Sequence, residues 1–295
     1  MNQSADSHDG RLTFLGATGN RLVADCSGPQ GGRPVLLLHG GGQTRHSWDN
    51  ARLELGKAGY YAVSFDARGH GESDWDENGD YSLESQVADL RAIISAFEER
   101  PVLVGASMGG VHSLIACGQE PSLAAALVMV DVTPRLEIKG VERIRDFMTG
   151  NPDGFASLED AADAIAAYTP SRRRSSSNLD GLRKNLRKHE DGRWRWHWDP
   201  KFMEGDYQVK IAHISKTMFE SADHIAIPSL LIRGRESDVV SMDGVRELRS
   251  HIPKMEFVDV EGAGHMVAGD KNDAFNAAIL DFLGRHVPVR TRCLE

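Results

Sequence analysis

The chain has 295 residues, of which 40% are hydrophobic, enough to build a large core. Its formal net charge of −9 excludes wholesale binding to nucleic acid or to an anionic membrane surface. Cys26, Cys117 and Cys293 are too few and too widely spaced for a disulfide framework or a zinc motif. The first ten residues are polar and acidic with no apolar core of a signal sequence, and no run is long enough to span a bilayer. The expectation is a cytoplasmic protein, monomer or homodimer, with no nucleic-acid or membrane partner and a small molecule as substrate.

Taken in chain order, RLTFLG (11–16) and RLVADC (21–26) read as an opening pair of strands. PVLLLHG (34–40) is a continuous apolar run, as expected of a strand buried on both faces. YAVSFDARG (61–69), PVLVGAS (101–107), ALVMVDV (126–132), SLLIRG (229–234) and MEFVDVEG (255–262) repeat the theme. Between them lie helical patterns. Over residues 82–98, Ser82 is placed to cap a helix whose Val87, Leu90, Ile94 and Phe97 share one face. Strands alternating with helices of this size give an α/β fold with a mostly parallel sheet covered on both sides.

Residues 133–227 break the rhythm. They hold helix-like pieces, the basic run SRRRSSS and the tryptophan-rich GRWRWHWDP, but no convincing core strand. Residues 171–195 carry nine Lys or Arg against three Asp or Glu. A structureless loop of that length is rare in a compact domain, so the interval reads as a largely helical insertion over the C-terminal edge of the sheet. That edge is where ligands bind in open α/β sheets.

Gly105-Ala106-Ser107-Met108-Gly109 fits G-x-S-x-G between a buried strand and a helix packed by small residues. That context, a strand, a sharp turn and a helix, presents a serine hydroxyl at the tip of the turn. A hydroxyl is a poor nucleophile at neutral pH and needs a base oriented by a carboxylate, in the chain order Ser, acid, His. His265 lies in VEGAGHMV, just past a strand at the same sheet edge, and is the candidate base. Two carboxylates compete for the third place. Asp238, four residues beyond the strand 229–234, is preferred, with Asp131 at the end of the preceding strand as the alternative. For the oxyanion the donors expected are the amides of Met108, at the start of a helix, and Gly41, in the glycine loop HGGGQTRHSW, with Gly42 next. The glycine run lacks the Lys-Ser/Thr of a phosphate loop and has no G-x-G-x-x-G. Trp48, just past that loop, is a candidate pocket residue together with Gly42, Trp194 and Trp196. The alternation of Trp194, Trp196 and Trp198 places their rings on one side of an extended segment, as an aromatic wall or as glue to the body.

Together HGGG, DARGHGESD (66–74), GASMGG, RGRESD and GAGH resemble the α/β-hydrolase superfamily over nearly the whole chain. The resemblance implies a sheet of about eight strands with a helical cap inserted after the sixth. It divides the chain into a core of residues 1–133 and 228–295 and a cap of residues 134–227. It also implies Ser107 as nucleophile, Asp238 as acid and His265 as base, with no metal or organic cofactor. The stretch GLRKNLRKHEDGRWRWHWDPKF is similar to a haloperoxidase-like and carboxylic monoester hydrolase branch. The expected activity is hydrolysis of a small carboxylic ester or lactone, including monoesters with a free carboxylate. The same three residues would serve a C–C bond hydrolase or a cofactor-free perhydrolase. Outside enzymes, the scaffold also suits a ligand-binding receptor.

Overall fold

A computed structural model describes residues 10–168, 179–265 and 272–289. The run SRRRSSS lies outside the described residues. Strands β1 (Gly10–Leu15) and β2 (Arg21–Ser27) pair antiparallel, and β2 then pairs antiparallel with β4 (Tyr61–Phe65). From there the sheet is parallel, through β3 (Pro34–Leu38), β5 (Val102–Ala106), β6 (Ala126–Val130), β9 (Ser229–Gly234) and β10 (Glu256–Val260). The eight strands stand in the order β1-β2-β4-β3-β5-β6-β9-β10. This is the mostly parallel α/β sheet that the sequence implies.

The continuous apolar runs have the expected cause. Strands β3 and β6 are buried at every position, because the sheet divides two cores. Successive side chains alternate between them: Leu36, Leu38 and Leu103 join one core, and Val35, Leu37, Val102 and Val104 the other. The first core is closed by α2 (Leu83–Ile94), α3 (Met108–Gln119) and α8 (Met242–His251). The second is closed by α1 (Asp49–Lys57) and by α9 (Asn272–His286), which contributes Phe275, Ile279, Phe282 and Leu283.

Helix α2 starts as expected, with the Ser82 side chain accepting from the Ser85 amide. It stops at Ile94, short of Phe97, because the chain tightens there into three-residue turns, Ala96 N–H to Ile93 and Phe97 N–H to Ile94. Phe97 still packs on the core from beyond the helix end.

Between β6 and β9 the chain forms α4 (Ile138–Thr149), α5 (Leu158–Tyr168), α6 (Leu179–Leu182), a hairpin of β7 (Leu186–Lys188) with β8 (Trp194–Trp196), and α7 (Tyr207–Ala222). The hairpin is an addition to the helical pieces read from the sequence. This insertion has its own small core, in which Met148, Phe155, Leu158, Leu186, Trp196 and Trp198 are buried. The end of α7 belongs instead to the main body. Met218 and Ala222 enter the first core, and Ser221 approaches α3 so closely that a Cβ on Gly118 would lie 2.3 Å from its carbonyl oxygen.

Candidate active site

The parallel strands end at one edge of the sheet, and each candidate group sits there because a strand stops beneath it. Ser107 follows β5 directly, with φ 46° and ψ −114°. Asp131 follows β6 directly, with φ 48°. Among the described residues these are the two non-glycine positions in the left-handed region. Such backbone is unfavourable for an L-residue and marks places the surrounding structure holds for a purpose.

The glycines around Ser107 make that conformation possible. A Cβ on Gly105 would lie 2.3 Å from the Gly109 carbonyl oxygen, and one on Gly109 would lie 2.4 Å from that of Leu38 on β3. The turn is therefore closed by backbone against backbone, with no room for a methyl group. Gly109→Ala is expected to lower stability by about 3 kcal/mol through overpacking, and thermal unfolding of the variant beside the parent measures it. An unchanged melting temperature would show that β3 gives way freely.

His265 follows β10 in a short glycine loop. Its Nδ1–H donates to Asp131 Oδ2 at 2.6 Å. Asp131 is 1% exposed and accepts two further bonds, from Ser237 Oγ at 2.5 Å and from the Gly234 amide at 3.0 Å. A carboxylate so held fixes the imidazole tautomer and leaves Nε2 as the basic nitrogen. The loop after β9 also carries the histidine loop. The Glu236 amide donates to Ala263, and Gly234 approaches Gly264 so closely that a Cβ would lie 2.1 Å from its carbonyl oxygen.

The preferred acid of the sequence reading, Asp238, is not at His265. Its side chain is 41% exposed and forms an ion pair with Arg143 of α4 at 2.8 Å. The turn after β9 explains the difference. Ser237, one residue earlier, points inward to Asp131 and also accepts the amides of Val239 and Val240, so Asp238 is turned outward. The alternative, Asp131, holds the place.

The loop after β3 is tied down at three points. The Gly40 amide donates to Gln43 Oε1, the Gly42 amide to His70 Nε2, and the Gln43 amide to the Gly40 carbonyl. Among the described residues the Gly41 amide has no acceptor, and neither has that of Met108 in the first turn of α3. Gly41 borders the Met108 side chain, since a Cβ on Gly41 would stand 4.0 Å from Met108 Sδ. Gly42 is therefore a support of the loop, while Gly41 and Met108 are the free donors.

Behind this loop lie buried histidines that the sequence reading did not single out. His39 donates from Nδ1 to the Gly40 carbonyl and accepts at Nε2 from the Ala67 amide. His70 donates from Nδ1 to the Arg68 carbonyl while accepting from Gly42. Each ring thus faces one carbonyl and one N–H, which only a single neutral tautomer satisfies. Burial pushes His39 down to about 4 and His70 to about 3, and likewise His112 to about 3. The signal available in the sequence was DARGHGESD itself, whose Asp66 is fully buried and accepts from the Arg45 guanidinium at 2.6 Å.

A cavity of about 850 Å³ opens above Ser107, Asp131 and His265. Its walls are largely apolar, with Ile144, Met148, Trp196, Trp198, Phe202 and Ile214 among them. Of the expected pocket residues, Gly42 and Trp196 line it. Trp48 touches it but is 1% exposed and packs on Phe275 in the core, so its bulk serves the body. Trp194 does not line it; its ring lies under Arg183 and Lys188. The three tryptophans are thus not one wall. Trp196 and Trp198 stack at 5.0 Å, and Trp194 packs half-buried against the same small core without reaching the cavity.

Several described basic residues of the insertion are engaged. Lys184 pairs with Asp49 at 3.2 Å, Arg187 donates to the Gly71 carbonyl, Arg193 to the carbonyls of Asp153 and Gly154, and Arg195 pairs with Asp191 at 2.6 Å. Asp25, His46 and Asp49 offer ligand atoms within 4.8 Å of one another. Arg45 and Lys184 already neutralise the two carboxylates, at 2.8 and 3.2 Å. Among the described residues no helix is long and apolar enough to cross a membrane.

A parallel sheet with a strained serine after one strand and a buried Asp–His pair after its neighbours defines a hydrolase scaffold. Residues 33–271 match the model of the alpha/beta hydrolase fold, and the chain belongs to that family. It is similar to esterase Rv0045c of Mycobacterium tuberculosis, with 30% identity over 80% of this chain and 78% of that protein. It is also similar to the non-heme chloroperoxidase CPO-A1 of Kitasatospora aureofaciens, with 28% identity over 86% of this chain and 93% of that one. The solved structure of E-2-(acetamidomethylene)succinate hydrolase shares the fold, with a TM-score of 0.78 at 21% identity, covering 94% of this chain and 99% of that one.

Proposed function

We propose that the protein is a serine carboxylic-ester hydrolase, with Ser107 as nucleophile, His265 as general base and Asp131 as the orienting acid. The observation that carries the reading is the 2.6 Å bond from His265 to buried Asp131, at the floor of the cavity that Ser107 enters. Ser107 attacks the ester carbonyl as His265 Nε2 takes its proton. The amides of Gly41 and Met108 receive the oxyanion. His265 then protonates the departing alcohol, and a water activated by the same nitrogen releases the acid from Ser107. Residues 134–227 act as the cap that roofs the site.

The cavity's size and apolar walls support an ester with a sizeable apolar acyl or alkyl group rather than a very small one. Among the described residues its basic lining groups are engaged: Arg145 with Asp146 at 3.0 Å, Lys184 with Asp49 at 3.2 Å, and Lys210 with the Glu204 carbonyl. A neutral ester is therefore expected to have a kcat/KM at least about tenfold above that of its analogue bearing a free carboxylate, since burying an unpaired carboxylate costs more than 1.4 kcal/mol. Matched neutral and half-acid esters measure this, and a preference for the acid would point to a cation freed on binding. Likeness to a chloroperoxidase favours a second reaction at the same site, in which hydrogen peroxide replaces water on the acyl-enzyme and a peracid leaves. The direct test of the main reading is a fluorophosphonate probe with p-nitrophenyl esters of rising chain length. Labelling and turnover that both vanish in Ser107→Ala support it; turnover that survives Ser107→Ala overturns it.

A further inference from the structure

His197 lies just beyond β8 and is 2% exposed. Although it belongs to the insertion, its ring joins two loops of the body. Nδ1 accepts the Gly71 amide at 2.7 Å, and Nε2–H donates to the Gly42 carbonyl at 3.3 Å. As with His39 and His70, one nitrogen must be bare and the other must carry the proton. The ring stands edge-on to cavity-lining Trp198 at 5.3 Å and lies 5.8 Å from His70. The same segment is fastened on its far side, where the Asp199 amide donates to Gly69 and Asp199 Oδ2 accepts from Tyr81 Oη at 2.6 Å.

The contact with Gly42 matters because of what stands next to it. The Gly40 carbonyl is held by His39 Nδ1–H at 2.8 Å and by the Gln43 amide at 3.1 Å. A trans peptide puts the Gly41 N–H on the opposite side from that carbonyl, away from His39. This fixes one end of the donor residue. The other end is Gly42, whose left-handed φ of 72° has no side chain to stiffen it. Gly42 is instead held on both of its polar groups, the amide by His70 and the carbonyl by His197. Of the two histidines, only His197 belongs to the insertion.

We propose that His197 is a positioning residue through which the insertion sets the aim of the Gly41 amide, so that oxyanion stabilisation depends on how the insertion is seated. The inference rests on the esterase reading above. It places part of the reaction's electrostatic preorganisation in the segment that also roofs the cavity. Loss of an oxyanion donor outright costs a factor of about 10² to 10³, and loss of its aim costs part of that.

Three variants separate positioning from simple adhesion. His197→Gln keeps an N–H where Nε2–H meets Gly42. His197→Asn keeps an acceptor where Nδ1 meets Gly71 but has no donor for Gly42. His197→Leu has neither. With p-nitrophenyl butyrate, Asn and Leu are expected to lower kcat at least about tenfold with KM within about twofold, and Gln to recover most of kcat. A boronic acid that mimics the tetrahedral intermediate should lose affinity in step with kcat/KM. If Asn and Gln behave alike, or if melting temperature falls while kcat per fluorophosphonate-labelled site stays at the parent value, the proposal is overturned. Failure of the underlying reading looks different, because the parent enzyme itself would then neither turn over nor label at Ser107.

Discussion

Asp131→Asn is expected to lower kcat/KM by about 10⁴, the loss found when the acid of a Ser-His-Asp triad is neutralised in place. The cause is the tautomer. The carboxylate now accepts the Nδ1 proton of His265 at 2.6 Å, while its other bonds come from Ser237 and Gly234. An amide keeps one acceptor oxygen, and the Gly234 and Ser237 bonds compete for it. Its NH₂ then meets Nδ1 as a donor and drives the ring proton to Nε2, where it can no longer take one from Ser107. Asp238→Asn is the contrasting case. It weakens an exposed ion pair with Arg143, worth no more than about 1 kcal/mol, and should leave kcat/KM within about twofold. Steady-state kinetics of both variants decide the matter, and a loss at Asp238 comparable to that at Asp131 would return the acid to the loop after β9.

The contrast between these two aspartates shows how far the sequence could be read. Ser107 was legible because its neighbours are constrained by sterics that leave a trace in residue type, with glycine at both 105 and 109 where a Cβ would strike backbone. His265 was legible from its place past a strand, and Gly41 from the glycine run. The acid was not. Both Asp131 and Asp238 satisfy the chain order, and both sit past strands that end at the same edge. What separates them is which way one turn points, and that depends on Ser237 bonding to Asp131 and to two amides of its own turn. No periodicity encodes such a three-way bond. The tryptophans failed for a related reason. Alternation puts Trp194 and Trp196 on the same side of β8, and both pack on the insertion's small core, but only Trp196 reaches the cavity while Trp194 lies under Arg183 and Lys188. The eight-stranded sheet was legible because its inner strands, buried on both faces, are largely apolar, whereas the edge strand β1 alternates half-buried and exposed positions.

Stability should fall steeply as the solution is acidified below pH 6.5. His39, His70, His112 and His197 are all held below the ordinary value of 6.5 by burial, His39 at about 4 and His70 and His112 at about 3. Arg45 adds repulsion at His39, Arg187 at His197, and neighbouring rings at His70, His112 and His197; the hydrogen bonds to the Gly40, Arg68 and Gly42 carbonyls and the charge of Asp66 oppose this, but burial outweighs them. A histidine whose pKa is lower in the folded chain is protonated first in the unfolded one. The unfolded state therefore binds more protons between pH 6.5 and about 4, and stability declines over that window and not above it. Each such group removes roughly 1 kcal/mol per pH unit below 6.5, so together they take away several kcal/mol by about pH 5.5. That is comparable to the whole stability of many domains. The loss also has a local meaning, because protonating His39, His70 or His197 sets an N–H against the amide of Ala67, Gly42 or Gly71, so the loop carrying Gly41 is expected to be the first element released. Urea unfolding at pH 7.5, 6.5 and 5.5, with proton uptake measured by calorimetry in buffers of different ionisation enthalpy, gives the count. An uptake approaching four at pH 5.5 is expected, dropping by about one in His112→Leu, which removes a buried ring from α3 without touching the three that hold the loops. An uptake below one would mean that these rings are already charged in the folded protein, and the single tautomers assigned to them would have to be given up.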